Sequence, residues 1–389
     1  MNRFGKNLIN LILCVGMCLA LSGCTADELV PDQDSALSTV ETAEETAADE
    51  TSEEAVNTDE SVTDEDYTEG LGDTLSADTV KPDAEAAVEE SVVEEPVEEE
   101  PSNLVDLIFF MGQSNMSGCG GDASLCPVVT EDKGQEYRSV SDPTRLYPIT
   151  EPFGINENRI GGLMEYPSGK KGSLVSAFIN EYYELTNRKV VAVSASKGET
   201  SIIDFTQDAI MADIGQRYAF AKSYLSNNGY TIGHIYVVWL QGESDALDGV
   251  DPEVYRTKLD DFMRPMFIDG LEKVFIITPG RTYSYSHLYD GIVSMQKKIC
   301  AESGYYALAT NVLSGVSTEY MTDMYHYNQH VLNMVGIETA KSVAYYTLNK
   351  EEKIVFDYID KKDIVPEGVD PAIQIPDPPL DLSNINEKY

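Results

Sequence analysis

The sequence predicts an α/β fold, a parallel sheet covered on both faces by helices. Short, nearly continuous apolar runs rich in β-branched residues recur at 104–111, 189–194, 235–240, 273–278 and 305–309. Runs of this kind suit strands buried on both faces. Helical patterns lie between them. Residues 173–186 are amphipathic. Asp251-Pro252 opens a helix to about residue 267, with Asp as N-cap and Pro at the first position. A third helix covers 289–303. The last, 328–348, sets Leu332, Val335, Thr339, Val343 and Tyr346 on one stripe. Strands alternating with helices make a layered sandwich. No internal repeat is visible.

The chain has 389 residues and a net charge of −40, unevenly spread. Residues 25–103 contain 28 Asp and Glu, one Lys and one aromatic, Tyr67. So polar a segment buries too little apolar area to offset its ordering entropy, and it is read as an acidic disordered linker. As a flexible chain it spans on the order of 50 Å. Residues 104–350 form the predicted folded domain, and 351–389, rich in Pro, a loosely packed tail. The domain is moderately acidic. That argues against nucleic acid as a partner, because clustered Lys and Arg supply such affinity.

Residues 1–24 read as an export signal. Arg3 and Lys6 precede an apolar run too short to span a membrane comfortably, and the run ends in Leu21-Ser22-Gly23-Cys24. Small residues before a Cys resemble a bacterial lipobox. The expectation is lipidation at Cys24 and anchoring to the outer face of a bacterial membrane. Cys119, Cys126 and Cys300 then remain. Three is odd, so a complete disulfide framework is excluded, while a Cys119–Cys126 bridge and free thiols both stay open.

In a parallel sheet, ligands sit at the carboxyl ends of the strands. The segments there are Gly112-Gln113-Ser114-Asn115-Met116, Ser196–Ser201, Gln241-Gly242-Glu243-Ser244-Asp245 and Pro279-Gly280-Arg281. Asp323 and His326 lie just before the last helix. A Ser on a tight turn, a His, and an Asp three residues before it supply a nucleophile, base and orienter. The turn is not G-x-S-x-G, because Met116 takes the last Gly place, which disfavours an ordinary α/β-hydrolase.

The strings FFMGQSNMSG, VVWLQGESD and DMYHYNQ resemble, in order and spacing, the signature blocks of the SGNH hydrolases. More narrowly they are similar to the sialate O-acetylesterase-like branch, which includes carbohydrate esterase family six. The resemblance implies a three-layer, flavodoxin-like α/β/α sandwich. It implies Ser114 as nucleophile, His326 as base and Asp323 as its orienter. The oxyanion hole would be the Ser114 amide, the Gly198 amide and the side-chain amide of Gln241. Glu199 stands where a second Gly is common. No metal or organic cofactor is implied.

Gln113, Asn115, Glu243 and Arg281 are the candidate substrate contacts. Glu243 also reads as a hydrogen-bonded structural carboxylate under the site, Asp245 as a cap, and Trp239 as core. His330 follows His326 at the spacing of paired zinc ligands, but the Glu of H-E-x-x-H is missing, so it reads as a surface or helix-packing residue. The expected protein is an exported, lipid-anchored serine esterase removing O-acetyl groups from a carbohydrate. The alternative is a surface lipoprotein that binds glycans on an inactive esterase scaffold. A pure binder has no use for Ser114, Asp323 and His326 together.

Overall fold

A computed structural model of the protein describes residues 103–166 and 169–389. The export signal, Cys24 and all of the linker except Asn103 lie outside the described residues. Among the described residues, nine strands and nine α-helices follow in chain order. They are β1 (Leu104–Gly112), α1 (Ser114–Ser117), β2 (Gly134–Tyr137), β3 (Leu146–Pro148), α2 (Val175–Thr186), β4 (Lys189–Ser196), α3 (Ile202–Phe205), α4 (Asp208–Asn227) and β5 (Thr231–Leu240). Then come α5 (Glu243–Asp248), α6 (Pro252–Ile268), β6 (Lys273–Ile277), α7 (Asp290–Glu302), β7 (Tyr306–Thr310), α8 (Gln329–Asn349), β8 (Val355–Asp357), β9 (Lys362–Ile364) and α9 (Ile385–Lys388).

Seven strands form one sheet in the order β3-β2-β4-β1-β5-β6-β7. Every pair is parallel except β2–β3 at the edge. Alternate residues serve opposite faces, as the two-residue period requires. Ile108, Phe110, Val238 and Leu240 pack against α2 and α8. Leu107, Phe109, Val237 and Trp239 pack against α4, α6 and α7. The result is the expected three-layer sandwich. The helix expected to open at Asp251-Pro252 does so, with the Asp251 carboxylate accepting from the Glu253 and Val254 amides. Helix α4 has no counterpart in the sequence reading, although Ile210, Ile214, Tyr218, Ala221 and Leu225 mark a buried stripe along it. Among the described residues, no helix is long and apolar enough to cross a membrane.

The strand ends are level. Gly112 is in register with Ser196 of β4 and with Leu240 of β5, and Leu240 with Ile277 of β6. The turns after these strands therefore share one edge.

The C-terminal segment is not the loose tail expected from its prolines. Strands β8 and β9 form a hairpin, and Ile354 and Ile385 are fully buried. Asp357 accepts from Lys297 and Asn311, and the Ile385 amide donates to Tyr320. Asn333 donates to the Tyr389 carbonyl. Proline stops regular structure but does not prevent side chains on either side of it from reaching the core. Ile385→Ala should therefore cost ~2–5 kcal/mol, the range for emptying a filled apolar site, measured by chemical denaturation. A loose tail would show no change.

Candidate active site

Gly112 ends β1 at φ 145, a backbone region that side chains strain. A Cβ there would stand 2.0 Å from the Leu240 carbonyl oxygen. Glycine lets β1 turn directly over the end of β5, where the Gln113 amide donates to Leu240 at 3.0 Å. Ser114 follows as the first residue of α1. It is nearly buried, and its N–H, free as in any first turn, has no acceptor among the described residues.

Asp323 and His326 form a pair on the same edge. The His326 Nδ1 donates to Asp323 Oδ2 at 2.7 Å, leaving Nε2 with the free lone pair. Asp323 Oδ1 takes the amides of Tyr325 and His326 at 2.8 and 3.0 Å, so the carboxylate also closes the turn. Burial pushes the Asp323 carboxyl up, but the ring and these amides outweigh it and hold it below its ordinary value. Asn115 grips this turn on both sides of the histidine. Its Nδ2 donates to the Tyr325 carbonyl at 3.2 Å, and its Oδ1 accepts from the Tyr327 amide at 3.4 Å. The residue beside Ser114 thus positions the histidine loop. Among the described residues, no hydrogen bond joins Ser114 to His326 directly. Such bonds commonly tighten only when substrate is bound.

Gly198 lies at the end of the β4 turn. A Cβ on it would stand 3.4 Å from the Ser114 Cβ, so this stretch of backbone passes beside the nucleophile. That N–H donates to Glu165 Oε2 at 2.5 Å. Glu199 next to it is exposed at φ 54, the left-handed region, which explains why a glycine suits that place.

A family model described as carbohydrate esterase, sialic acid-specific acetylesterase matches residues 105–345. The chain belongs to that family. Membership supports esterase activity for this chain. Comparison with curated proteins finds no match. Among solved structures, a protein from Arabidopsis thaliana aligns at 18% identity and TM-score 0.46, covering 64% of this chain and 99% of its own. A carbohydrate acetylesterase from Xanthomonas citri aligns at 12% identity and TM-score 0.41, over 65% and 59% of the two chains. A catalytic mutant of an acetylxylan esterase from Geobacillus stearothermophilus aligns at 8% and TM-score 0.34, over 60% and 91%.

In this esterase-family chain the polar residues beneath Ser114 turn inward. Gln113 is buried and accepts through Oε1 from the amides of Gly242 and Ser244 at 3.4 and 3.2 Å. Glu243 is buried and accepts from Asn115 Nδ2 at 2.9 Å; burial raises its carboxyl. Asn115 and Glu243 are thus hydrogen-bonded into the scaffold, as the structural reading of Glu243 expected, and Gln113 is held there through Oε1. Arg281 is half-buried, its backbone amide donates to Tyr327, and it has no salt bridge among the described residues. Its Nε donates to the Thr282 carbonyl at 3.5 Å, and among the described residues its terminal nitrogens and Gln113 Nε2 have no hydrogen-bond partner.

Gln241 also departs from expectation. It is fully buried, and its Nε2 donates to the Thr200 carbonyl at 3.0 Å and to the Asp245 carboxylate. Both amide hydrogens are spent inside the protein, and neither is placed for an oxyanion. Asp245 in turn accepts from the Ile202 amide at 3.0 Å, as a cap, while burial pushes its carboxyl up to about 7. Trp239 is core and donates to Tyr255. Cys119 and Cys126 are free thiols; Cys119 donates to the Gly169 carbonyl. Among the described residues, no cluster of three His, Cys, Asp or Glu is placed to hold a metal ion. Glu165 had no signal in the sequence, since it lies in a long irregular stretch with no motif.

Gln241→Ala should act mainly on stability. It strips hydrogen bonds from Asp245 and Thr200, which costs ~1–3 kcal/mol. Thermal denaturation beside kcat would check this, and a hundredfold fall in kcat at unchanged Tm would restore the amide to the oxyanion hole. Glu199→Gly should relieve left-handed strain and raise stability by about 1 kcal/mol in the same assay.

Proposed function

We propose that this protein is an exported serine esterase that removes O-acetyl groups from a carbohydrate, held at a bacterial membrane by lipid on Cys24. The observation that carries the catalytic part is the Asp323–His326 pair, clamped by Asn115 to the turn that presents Ser114. Support for export and anchoring is the signal-like N-terminus and the small residues before Cys24.

Ser114 Oγ attacks the acetyl carbonyl carbon, and its proton passes to His326 Nε2. The charged ring is stabilised by the Asp323 carboxylate. The carbonyl oxygen becomes an oxyanion facing the Ser114 and Gly198 amides, and each such donor is worth about 3 kcal/mol in the transition state. Collapse expels the sugar alkoxide, which takes the proton from His326. Water, deprotonated by the same ring, then releases acetate and restores Ser114. The substrate is an acetylated polysaccharide such as xylan, an O-acetyl sialic acid, or an O-acetylated cell-wall glycan.

Acetate release from a panel of acetylated glycans tests this reading and chooses among the sugars. Ser114→Ala should lower kcat by several orders of magnitude at unchanged fold, because it removes the attacking atom and little volume. Full activity in that variant would end the covalent mechanism. Cys24→Ala should shift the protein out of the membrane fraction or leave the signal uncleaved. Equal membrane retention of a correctly cleaved variant would remove the anchor.

A further inference from the structure

The Gly198 N–H is occupied by a carboxylate from the protein itself. Glu165 Oε2 accepts from it at 2.5 Å. Both carboxylate oxygens would lie 3.2 Å from a Cβ on Gly198, and the Ser114 Cβ would lie 3.4 Å from the same point. The carboxylate thus fills the Gly198 N–H, the donor that the proposed mechanism gives to the acyl oxygen.

The loop that brings it there is firmly built. Arg217, itself buried, donates to the Glu157 carbonyl at 2.7 Å and to the Ser194 carbonyl of β4 at 2.8 Å. Asp213 accepts from the Leu163 amide at 2.8 Å. Asn158 makes a reciprocal pair with the Glu165 backbone, at 3.0 and 3.2 Å. Residues 157–165 are therefore stapled to α4 and β4, and Glu165 is aimed.

Its carboxylate is held lightly. Its hydrogen-bond partners are the Gly198 and Tyr166 amides, and among the described residues no Lys or Arg lies within salt-bridge distance. The buried Lys170 is near enough to attract it through charge but is not paired with it, so the carboxylate still forgoes hydration that it regains on leaving. A neutral ester carbonyl bears no such cost in the ground state and gains more as it becomes an oxyanion.

We propose that Glu165 is an internal competitor for the oxyanion hole: it fills the Gly198 donor in the resting enzyme and the acetyl group must displace it. The proposal rests on the esterase reading above. It makes Glu165 a determinant of how readily small esters and the product acetate enter. Acetate carries the same charged group and competes for the same N–H. A glycan that makes further contacts has additional binding energy with which to move the side chain.

The test compares the full chain with Glu165→Ala on p-nitrophenyl acetate. If the competitor fills the hole most of the time, its removal raises kcat/KM on the order of tenfold, by the fraction of enzyme released. The inhibition constant of acetate should fall by a similar factor, which a merely structural role would not produce. Glu165→Gln should fall between, since it keeps a weaker acceptor without the charge. Glu165→Asp, one methylene shorter, supplies the same readouts if the Ala variant does not fold. An unchanged or lower kcat/KM with an unchanged acetate constant overturns the proposal.

A fluorophosphonate probe separates this outcome from failure of the esterase reading. Ser114 Oγ displaces fluoride from phosphorus and gives its proton to His326, with no sugar or acetyl group involved. If the wild type is labelled at Ser114 but hydrolyses no acetyl ester, the substrate reading fails. The labelling rates still decide Glu165: faster labelling of the Ala variant supports the competitor, and equal or slower labelling overturns it.

Discussion

The contact of Gly112 with the Leu240 carbonyl governs the geometry of the site. At a notional Cβ distance of 2.0 Å, no side chain fits between β1 and β5. The two strands therefore close up at their ends, and the chain leaving β1 is hydrogen-bonded over β5. On the other side, the Lys197 amide donates to the Gly112 carbonyl at 3.0 Å. One backbone position thus ties the exits of β4, β1 and β5 together. Ser114, Gly198 and Gln241 emerge within a single hydrogen-bonded edge as a result. Widening the gap at Gly112 would move the nucleophile relative to its amide donor, and small displacements of that kind are costly in catalysis.

Beneath this edge lies a layer of buried polar side chains that hold loops. Gln113 fastens the β5 turn, Asn115 fastens the histidine loop, and Asp245 fastens the start of α3. Such networks are strong when satisfied, because the surrounding dielectric is low, and costly where a partner is missing. Glu243 Oε2, Gln241 Oε1 and the Tyr289 hydroxyl have no partner among the described residues. Burial raises the carboxyls of Glu243 and Asp245 for the same reason. The layer trades stability for a fixed placement of Asp323 and His326, whose own turn is largely exposed.

The acidic character of the chain reaches the site unevenly. Glu157 and Asp213 meet Arg217, whose side chain is buried with theirs. Glu165, eight residues after Glu157, is hydrogen-bonded only to amides, with the buried Lys170 nearby but unpaired. A carboxylate paired with a guanidinium builds the loop, and a carboxylate left to amides can exchange with a ligand. The difference follows from which groups reach them, since both residue types are the same.

The sequence by itself determined the sandwich and the edge on which its chemistry gathers. Apolar runs at 104–111, 189–194 and 273–278 suited strands buried on both faces, and the turns after them carried the polar residues. The Asp323–His326 spacing placed a carboxylate within reach of a ring through one local turn, and local turns are readable. The helix α4 follows the same local rule through its buried stripe, but the sequence reading did not include it. Side-chain direction at the strand ends was not legible. Whether Gln241 faces the hole or Asp245 depends on a carboxylate from the following helix and a carbonyl from the β4 turn. The arrival of Glu165 depends on Arg217 and Asn158, contacts with no period in the chain. The docking of Ile385 was equally hidden, because prolines upstream suggest a tail whereas burial decides one. Local patterns report which backbone form a segment prefers; only the packed structure decides which polar group meets which, because that pairing is settled by residues far apart in the chain.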